Sequence, residues 1–564
     1  MSQRGFHSTT RLLSNISTSE TISAKSHKPS RPRIIFNNRN GPSLQDFMHQ
    51  GTMELREDKD RAPVIPEWAP YLKSASEVLK PKRYHVEVYG CQMNYNDTEI
   101  LMSVLDAAGY VKVDSPKDAN VIFLMTCAIR DNAEKKIWNR LETIRAKMRQ
   151  HDGTVPMVGV LGCMAERLKE RLFDKELVDI VCGPDAYRSL PSLITMADKG
   201  ANVANVMLSA DETYADIHPV RKNDTISAHL SIMRGCNNMC AFCIVPFTRG
   251  MERSRPIDSI VHEVRRLQDQ GVKEVMLLGQ NVNSYRDTSE TETYLGLESA
   301  ATASLSNSGF RTIYKRKDGG RRFADLLHEV SLAAPKIRFG FTSPHPKDFP
   351  LELLQLIAER DNICKNVHLP AQSGNSQMLQ RMRRGYSREA YLSLVDTIRA
   401  TIPDVAISSD FITGFCGETE EEHRDTVTLM EQVRFDMAFM YAYSMREKTH
   451  AHRKMKDDVP EDVKKRRLTE IIDTFHAGAR KNNEARIGQR YRVLVSGTSK
   501  RDALEVRGTT DGGLKAVFAD RLPSLSSQPE NNVPFQPGDW VNVDITGATS
   551  STLLGTPVSM GHLG

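Results

Sequence analysis

No stretch of this 564-residue chain approaches the roughly 18 consecutive apolar residues that a bilayer-crossing helix needs, so no membrane partner is expected. Mean hydropathy is -0.44, within the ordinary range of water-soluble chains. There is no secretory signal, and the nine cysteines are odd in number, which together argue against a disulfide framework. The chain also lacks a surplus of one charge over most of its length. Arg4, Arg11, Lys25, Lys28, Arg31 and Arg33 against Glu20 supply the whole net charge of +5, and everything after residue 33 sums to zero. A neutral body excludes holding a polyanion by overall charge, so any such surface must be local. The length excludes a single core and implies three or more domains in a monomer.

What is present begins with that basic, Ser/Thr-rich leader, whose composition is that of an organellar import segment. Arg4-Gly5-Phe6-His7-Ser8-Thr9 resembles the Arg-x-Phe processing motif of mitochondrial precursors. Residues 1–33 are therefore expected to direct the protein to the mitochondrial matrix; the alternative is a basic arm that grips nucleic acid. Residues 34–81, broken by Pro63, Pro66, Pro70 and Pro81, are expected to form a linker or peripheral segment.

Cys236, Cys240 and Cys243 fall in one tight loop, Arg234-Gly235-Cys236-Asn237-Asn238-Met239-Cys240-Ala241-Phe242-Cys243. A [4Fe-4S] cluster is usually held by four thiolates. Three from one loop leave an iron free to bind a small molecule, the arrangement needed to reduce S-adenosylmethionine. A zinc site would pair C-x2-C with a second ligand pair, and no such C-x2-C or H-x3-H pair follows. Three unrelated buried cysteines are the other alternative.

Between residues 82 and 200, short β-compatible runs at Tyr84–Tyr89, Val121–Met125 and Met157–Leu161 alternate with helix-compatible sequence. Each run ends just before a cysteine, at Cys91, Cys127 and Cys163, at equal intervals of 36 residues. In a doubly wound parallel sheet all strand carboxyl ends lie on one edge, so these three cysteines would converge there. From 225 to 475 six further strand–helix units suggest an incomplete (βα)6 barrel, with candidate strands near His229–Met233, Val275–Leu278, Arg338–Thr342, Asn366–Leu369, Ala406–Ile412 and Met437–Tyr443. Residues 286–322 interrupt it as a Ser-, Thr- and Lys/Arg-containing insertion, and residues 484–558, with repeated glycine turn signals, look all-β. The remaining Cys182, Cys364 and Cys416 share no spacing and are taken as structural thiols.

The cysteine loop and its flank through Arg253-Ser254-Arg255-Pro256 resemble the radical S-adenosylmethionine methylthiotransferases, particularly the tRNA 2-methylthio-N6-isopentenyladenosine synthase type. The resemblance spans about residues 82–558. It implies a tRNA-modifying enzyme with two [4Fe-4S] clusters, one on Cys236, Cys240 and Cys243 and a second, auxiliary one on Cys91, Cys127 and Cys163. It implies two S-adenosylmethionines per reaction and methylthiolation of C2 of N6-isopentenyladenosine at position 37, in the anticodon stem-loop of mitochondrial tRNA. An electron donor and a sulfur donor are implied as partners, and the last β-segment resembles an RNA-binding TRAM domain. Candidate S-adenosylmethionine contacts lie at successive strand ends: Phe242 beside the cysteines, Gly279-Gln280-Asn281, Gln372-Ser373, Asp410 and Gly414. Arg249, Arg253 and Arg255, and the knot Arg381, Arg383 and Arg384, are either solvated charge or phosphate and carboxylate contacts. Alternatives are a methylthiotransferase for threonylcarbamoyladenosine or for a ribosomal protein aspartate, or a non-catalytic kinase-regulatory or tRNA-binding protein.

Overall fold

The structure is a computed structural model that describes residues 31–36, 82–128, 131–147, 153–209, 211–212, 214–217, 219–221, 225–289, 310, 319–523 and 533–563. Residues 1–30 of the leader, 37–81 of the linker, and 290–309 and 311–318 of the insertion lie outside the described residues.

The first layer is a seven-stranded, wholly parallel sheet. Its strands are β1 (Arg33–Phe36), β2 (Arg83–Val88), β3 (Val111–Lys112), β4 (Val121–Thr126), β5 (Met157–Gly162), β6 (Ile180–Cys182) and β7 (Asn202–Asn205), in the order β1-β7-β6-β5-β4-β2-β3. Strand β4 is buried at every residue, because alternate side chains enter two different cores. Phe123 and Met125 pack with the helices Gln92–Ala107 and Leu190–Asp198, and Ile122 and Leu124 pack on the other face with Asp131–Lys147 and Cys163–Leu168. Helices on both faces make this the doubly wound fold the strand spacing implied. Two edges differ from the sequence reading. Residues 34–36, expected in the linker, form with Arg33 the edge strand paired to β7, and β7 itself lies beyond residue 200. A four-residue, half-exposed edge strand carries too little alternation to stand out from a polar segment.

The second layer is the partial barrel. Strand β8 (Ser227–Ser231) leads into β9 (Met233–Arg234), which pairs antiparallel with β10 (Arg253–Ser254). Strand β11 (Glu274–Leu278) follows, and the short antiparallel pair β12 (Arg286–Asp287) and β13 (Arg321–Arg322) clasps the base of the insertion. Strands β14 (Arg338–Phe341), β15 (Asn366–His368), β16 (Ala406–Thr413) and β17 (Met437–Ala442) complete the set. The six parallel strands form two curved triplets, β8-β11-β14 and β15-β16-β17, linked by a bridge between Phe339 and Ile363. The largest core lies between these strands and their outer helices.

The helix Glu461–Glu484 connects to a closed barrel of β18 (Arg490–Thr498), β19 (Glu505–Thr510), β20 (Lys515–Ala519), β21 (Trp540–Ala548) and β22 (Leu553–Met560), a TRAM-like module. It is docked at the amino-terminal ends of the larger barrel's strands. Lys365 N donates to Asp511 O at 2.9 Å and Asn366 Nδ2 to Gly512 O at 2.8 Å. Arg338, at the start of β14, joins Glu274, Asp511 and Thr509 and lies 4.9 Å from the Trp540 ring centre. The cysteine loop stands at the other end of those strands.

Candidate functional site

Strands β2, β4 and β5 are neighbours, so the residues that leave their carboxyl ends meet. Cys91 follows β2 through Gly90, at φ +135°, where an added Cβ would come within 2.5 Å of Asn94 Nδ2 and 2.7 Å of Cys127 Cβ. Cys127 follows β4 directly. Cys163 follows Gly162, at φ +88°, and opens a helix. Cys91 is exposed and Cys127 and Cys163 are buried. A hydrogen bond with Cys127 and the charge of Arg249 nonetheless outweigh the partial desolvation of the Cys91 sulfur by its neighbours and draw the thiol down to about 6, toward thiolate. Burial pushes Cys163 up, although Arg249 Nε donates to its sulfur at 3.1 Å.

The second triad sits in the loop held between β9 and β10. Gly235, at φ +77°, lies so close to the Met251 carbonyl that a Cβ would collide with it. Cys236 N donates to Gly250 O at 3.2 Å and Cys243 N to Cys240 O at 3.0 Å. Gly235 N donates to Gln280 Oε1 at 2.5 Å. Glu252 closes the loop by accepting from Asn237 N at 3.3 Å and Asn281 Nδ2 at 3.2 Å. From the far side Arg384, 6% exposed, donates to Cys240 Sγ at 3.2 Å and to Pro370 O at 3.0 Å. Burial, reinforced by Glu252 and by Cys243 and Cys240, pushes the Cys236 thiol well up, and burial pushes Cys243 to about 12.

Among the described residues no three His, Cys, Asp or Glu side chains form a group that could hold a metal ion. A cuboidal cluster asks for something else, because each thiolate binds a different iron and the sulfurs must stand apart. The donor set fits such a cluster. Buried thiols that would otherwise keep their protons are the groups a cationic metal centre deprotonates. Two orphaned polar atoms point the same way: Arg249 Nη1 and Asn281 Oδ1 are buried without a hydrogen-bond partner. The first would meet an anionic cluster and the second a donor such as the ammonium of S-adenosylmethionine.

The remaining sequence candidates divide. Phe242 packs edge-on against Phe415 at 6.4 Å, beside the cysteine loop. Gln280 and Asn281 are brought to that loop, and part of each side chain is spent holding it. Gly279 meets Met233, where a Cβ would approach within 2.6 Å. Asp410 faces the barrel interior and pairs with His368 Nε2 at 3.2 Å. Gln372 bridges to Phe411 at φ +70°. Ser373 Oγ is committed to Thr426 Oγ1 at 3.3 Å, on the outer helix Glu420–Val433. Gly414, at φ +70°, donates from N to Glu418 Oε2 at 2.6 Å, and its open face is covered by Lys464.

Five of the six arginines are spent on partners within the protein, and Arg383 alone remains as solvated charge. Arg249, Arg253 and Arg255 are buried and paired with Asp97 at 2.7 Å, Asp185 at 2.8 Å and Glu263 at 3.0 Å. Arg381 pairs with Glu422 and Arg384 binds Cys240, so of that knot only Arg383 projects into solvent. Asp97 and Arg234 are site residues that sequence reasoning missed. Asp97 is fully buried on the helix Gln92–Ala107, between Arg249 and Arg234, the latter at 2.9 Å. Burial would raise its carboxyl, yet the two guanidiniums outweigh burial and hold it below the usual range.

Comparison with known proteins covers both triads. A model described as the radical SAM superfamily matches residues 230–430, and one described as the uncharacterized protein family UPF0004 matches residues 83–183. Mitochondrial tRNA methylthiotransferase CDK5RAP1 of Mus musculus is 50% identical, over 97% of this chain and 93% of that protein. The Homo sapiens protein of the same name is 52% identical, over 91% and 87%. A tRNA-2-methylthio-N(6)-dimethylallyladenosine synthase of Chloroherpeton thalassium is 48% identical, over 84% of this chain and 95% of that one.

Proposed function

The chain belongs to the radical S-adenosylmethionine tRNA methylthiotransferases, and from that premise we propose that it methylthiolates C2 of N6-isopentenyladenosine at position 37 of mitochondrial tRNA. It is an enzyme of tRNA modification, which removes the purely non-catalytic alternative. The synthase name of the bacterial relative favours the isopentenyl substrate over threonylcarbamoyladenosine or a protein aspartate. The names of the animal relatives support a mitochondrial location.

The observation that supports the reading is a pair of cysteine triads, one at the strand ends of each parallel layer, linked through Arg249, Asp97 and Arg234. Cys236, Cys240 and Cys243 would hold one [4Fe-4S] cluster, and Cys91, Cys127 and Cys163 the second. When bound, these clusters and two S-adenosylmethionines supply the radical and sulfur chemistry that no side chain can perform. The chain's own residues set the stage. Gln280 and Glu252 fix the loop of Cys236 from one side and Arg384 fixes Cys240 from the other. Asn281 Oδ1 presents an acceptor for the ammonium group, and Phe242 with Phe415 provides an apolar wall for adenine. Asp410, 29% exposed in its side chain, offers a carboxylate inside the barrel for a ribose hydroxyl. An electron donor and a sulfur source complete the reaction.

Mass spectrometry of nucleosides from mitochondrial tRNA, with and without this protein, tests the proposal. The 2-methylthio-N6-isopentenyl nucleoside should vanish in its absence while the unthiolated precursor accumulates. Loss of a methylthiolated threonylcarbamoyl nucleoside instead would reassign the substrate.

A further inference from the structure

The segment from Arg446 to Met455 runs across the rim where the two cysteine triads meet. Lys448 Nζ donates to Arg167 O at 3.5 Å, and Glu447 pairs with Arg171 at 2.5 Å, both on the first layer. Ala451 N donates to Ala241 O at 2.8 Å, inside the cysteine loop. Ala241 N in turn donates to Met382 O at 2.9 Å, which brings Arg383 to the same rim. Arg453 lies 5.6 Å from the ring centre of Phe247, on the short helix after Cys243.

These contacts gather cations from three separate stretches of sequence. Lys169 and Arg171 have carboxylate partners, Glu166 and Glu447. Arg383, Lys448, Arg453 and Lys454 form no ion pair among the described residues. Arg383, Arg453 and Lys454 are exposed, and Lys448 and Lys169 are half-buried. Their crowding is felt electrostatically. Burial, then the charges of Lys169 and Arg171, lower the Lys448 ammonium against the opposing carboxylates of Glu166 and Glu447; burial, then Arg383 and Lys454, lower His450. Backbone strain falls on the same groups. Among the described residues eight non-glycine positions have positive φ, and three of them are Lys169 at +50°, Arg383 at +59° and Lys448 at +73°. Such conformations persist where function or surroundings demand them.

We propose that the rim of Lys169, Arg383, Lys448, Arg453 and Lys454 is the surface that receives the RNA phosphate backbone beside the cysteines. This rests on the tRNA reading above and assigns it a place. The TRAM-like barrel is a poor substitute: on β18 Arg490 pairs with Asp544 and Arg492 with Asp361 and Asp511, and its exposed Arg507 and Lys515 belong to a module at the opposite end of the strands. A local cationic rim also reconciles a neutral body with a polyanionic substrate.

The test uses the full chain with its clusters loaded and two RNA probes. One is an anticodon stem-loop hairpin carrying N6-isopentenyladenosine and the other is the same hairpin unmodified. The dissociation constant is measured against salt concentration for wild type, Arg383→Gln/Lys448→Gln/Lys454→Gln, Arg383→Gln/Lys454→Gln, and the TRAM pair Arg507→Gln/Lys515→Gln. Each lost phosphate contact should flatten the log–log salt slope by about 0.7–0.9, so the triple variant should lose about two units and bind about tenfold or more weakly at low salt. The double variant, which replaces only exposed cations and leaves the half-buried Lys448 in place, should lose about two-thirds as much slope, with iron content and melting temperature at wild-type values. The TRAM pair should keep the wild-type slope. An unchanged slope in the rim variants, or a loss confined to the TRAM pair, overturns the assignment. Wild-type protein that binds both hairpins through the rim yet forms no methylthio product would instead defeat the proposed reaction and leave the rim standing.

Discussion

Arg249 Nε donates to the sulfur of Cys163 at 3.1 Å, although the two residues lie 86 positions apart and belong to helices of different layers. The same guanidinium reaches Asp97 at 2.7 Å, and Asp97 reaches Arg234 at 2.9 Å, two residues before Cys236. A continuous ionic strut thus runs from one cysteine triad to the start of the other. The strut ties the loop that carries one triad to the segment that carries the other.

Breaking the strut should be costly. Asp97 has zero exposure and two cationic partners, so Asp97→Asn leaves buried positive charge uncompensated. The expected loss is about 3–5 kcal/mol of stability, read from the denaturant midpoint at unchanged slope. A change within about 0.5 kcal/mol, the scale of an ordinary surface substitution, would show that the strut is incidental.

Gly235→Ala is expected to empty the loop of Cys236 without unfolding the chain. The added methyl meets the Met251 carbonyl, and the backbone there has φ +77°, so the β9–β10 clasp must open. Iron content should fall by about half, the share of one of two clusters, with the circular dichroism of the fold retained. Full iron occupancy would contradict this account of the loop.

A pH effect is expected at the seam between the layers. Glu99 lies 3.4 Å from Arg221, which also pairs with Glu263 at 3.0 Å. Burial outweighs Arg221, and Glu263 adds to it, raising the Glu99 carboxyl from 4.5 to about 7. The folded protein therefore binds this proton more tightly than the unfolded chain. Its contribution is fully present below about pH 4.5 and is lost as pH rises through about 7. Glu99→Gln should flatten the decline in melting temperature between these limits. An identical pH profile in the variant would remove Glu99 from the effect.

Much of this was legible in the sequence, and for physical reasons. Strand carboxyl ends in a parallel sheet share one edge, so equal spacing was enough to bring Cys91, Cys127 and Cys163 together. The alternation of fully apolar strands with amphipathic helices announced both parallel layers. Pairing across layers was not legible, because no local pattern marks Asp97 as the partner of Arg234 and Arg249. Those arginines look in sequence like any basic flank. Burial, which the sequence does not display, decides that they are struts. The docking of the small barrel was hidden in the same way, since Arg338 and Arg492 meet Asp511 only in three dimensions.

The central claim is that two separate cysteine triads hold two clusters with different tasks. Iron quantification paired with product analysis of Cys127→Ala and Cys240→Ala, after anaerobic reconstitution, tests it most directly. Wild type should carry about eight irons and each variant about four. Cys127→Ala should still release 5′-deoxyadenosine from S-adenosylmethionine while forming no methylthio product, and Cys240→Ala should release none. Normal methylthiolated product from Cys127→Ala, or undiminished deoxyadenosine from Cys240→Ala, would contradict the account.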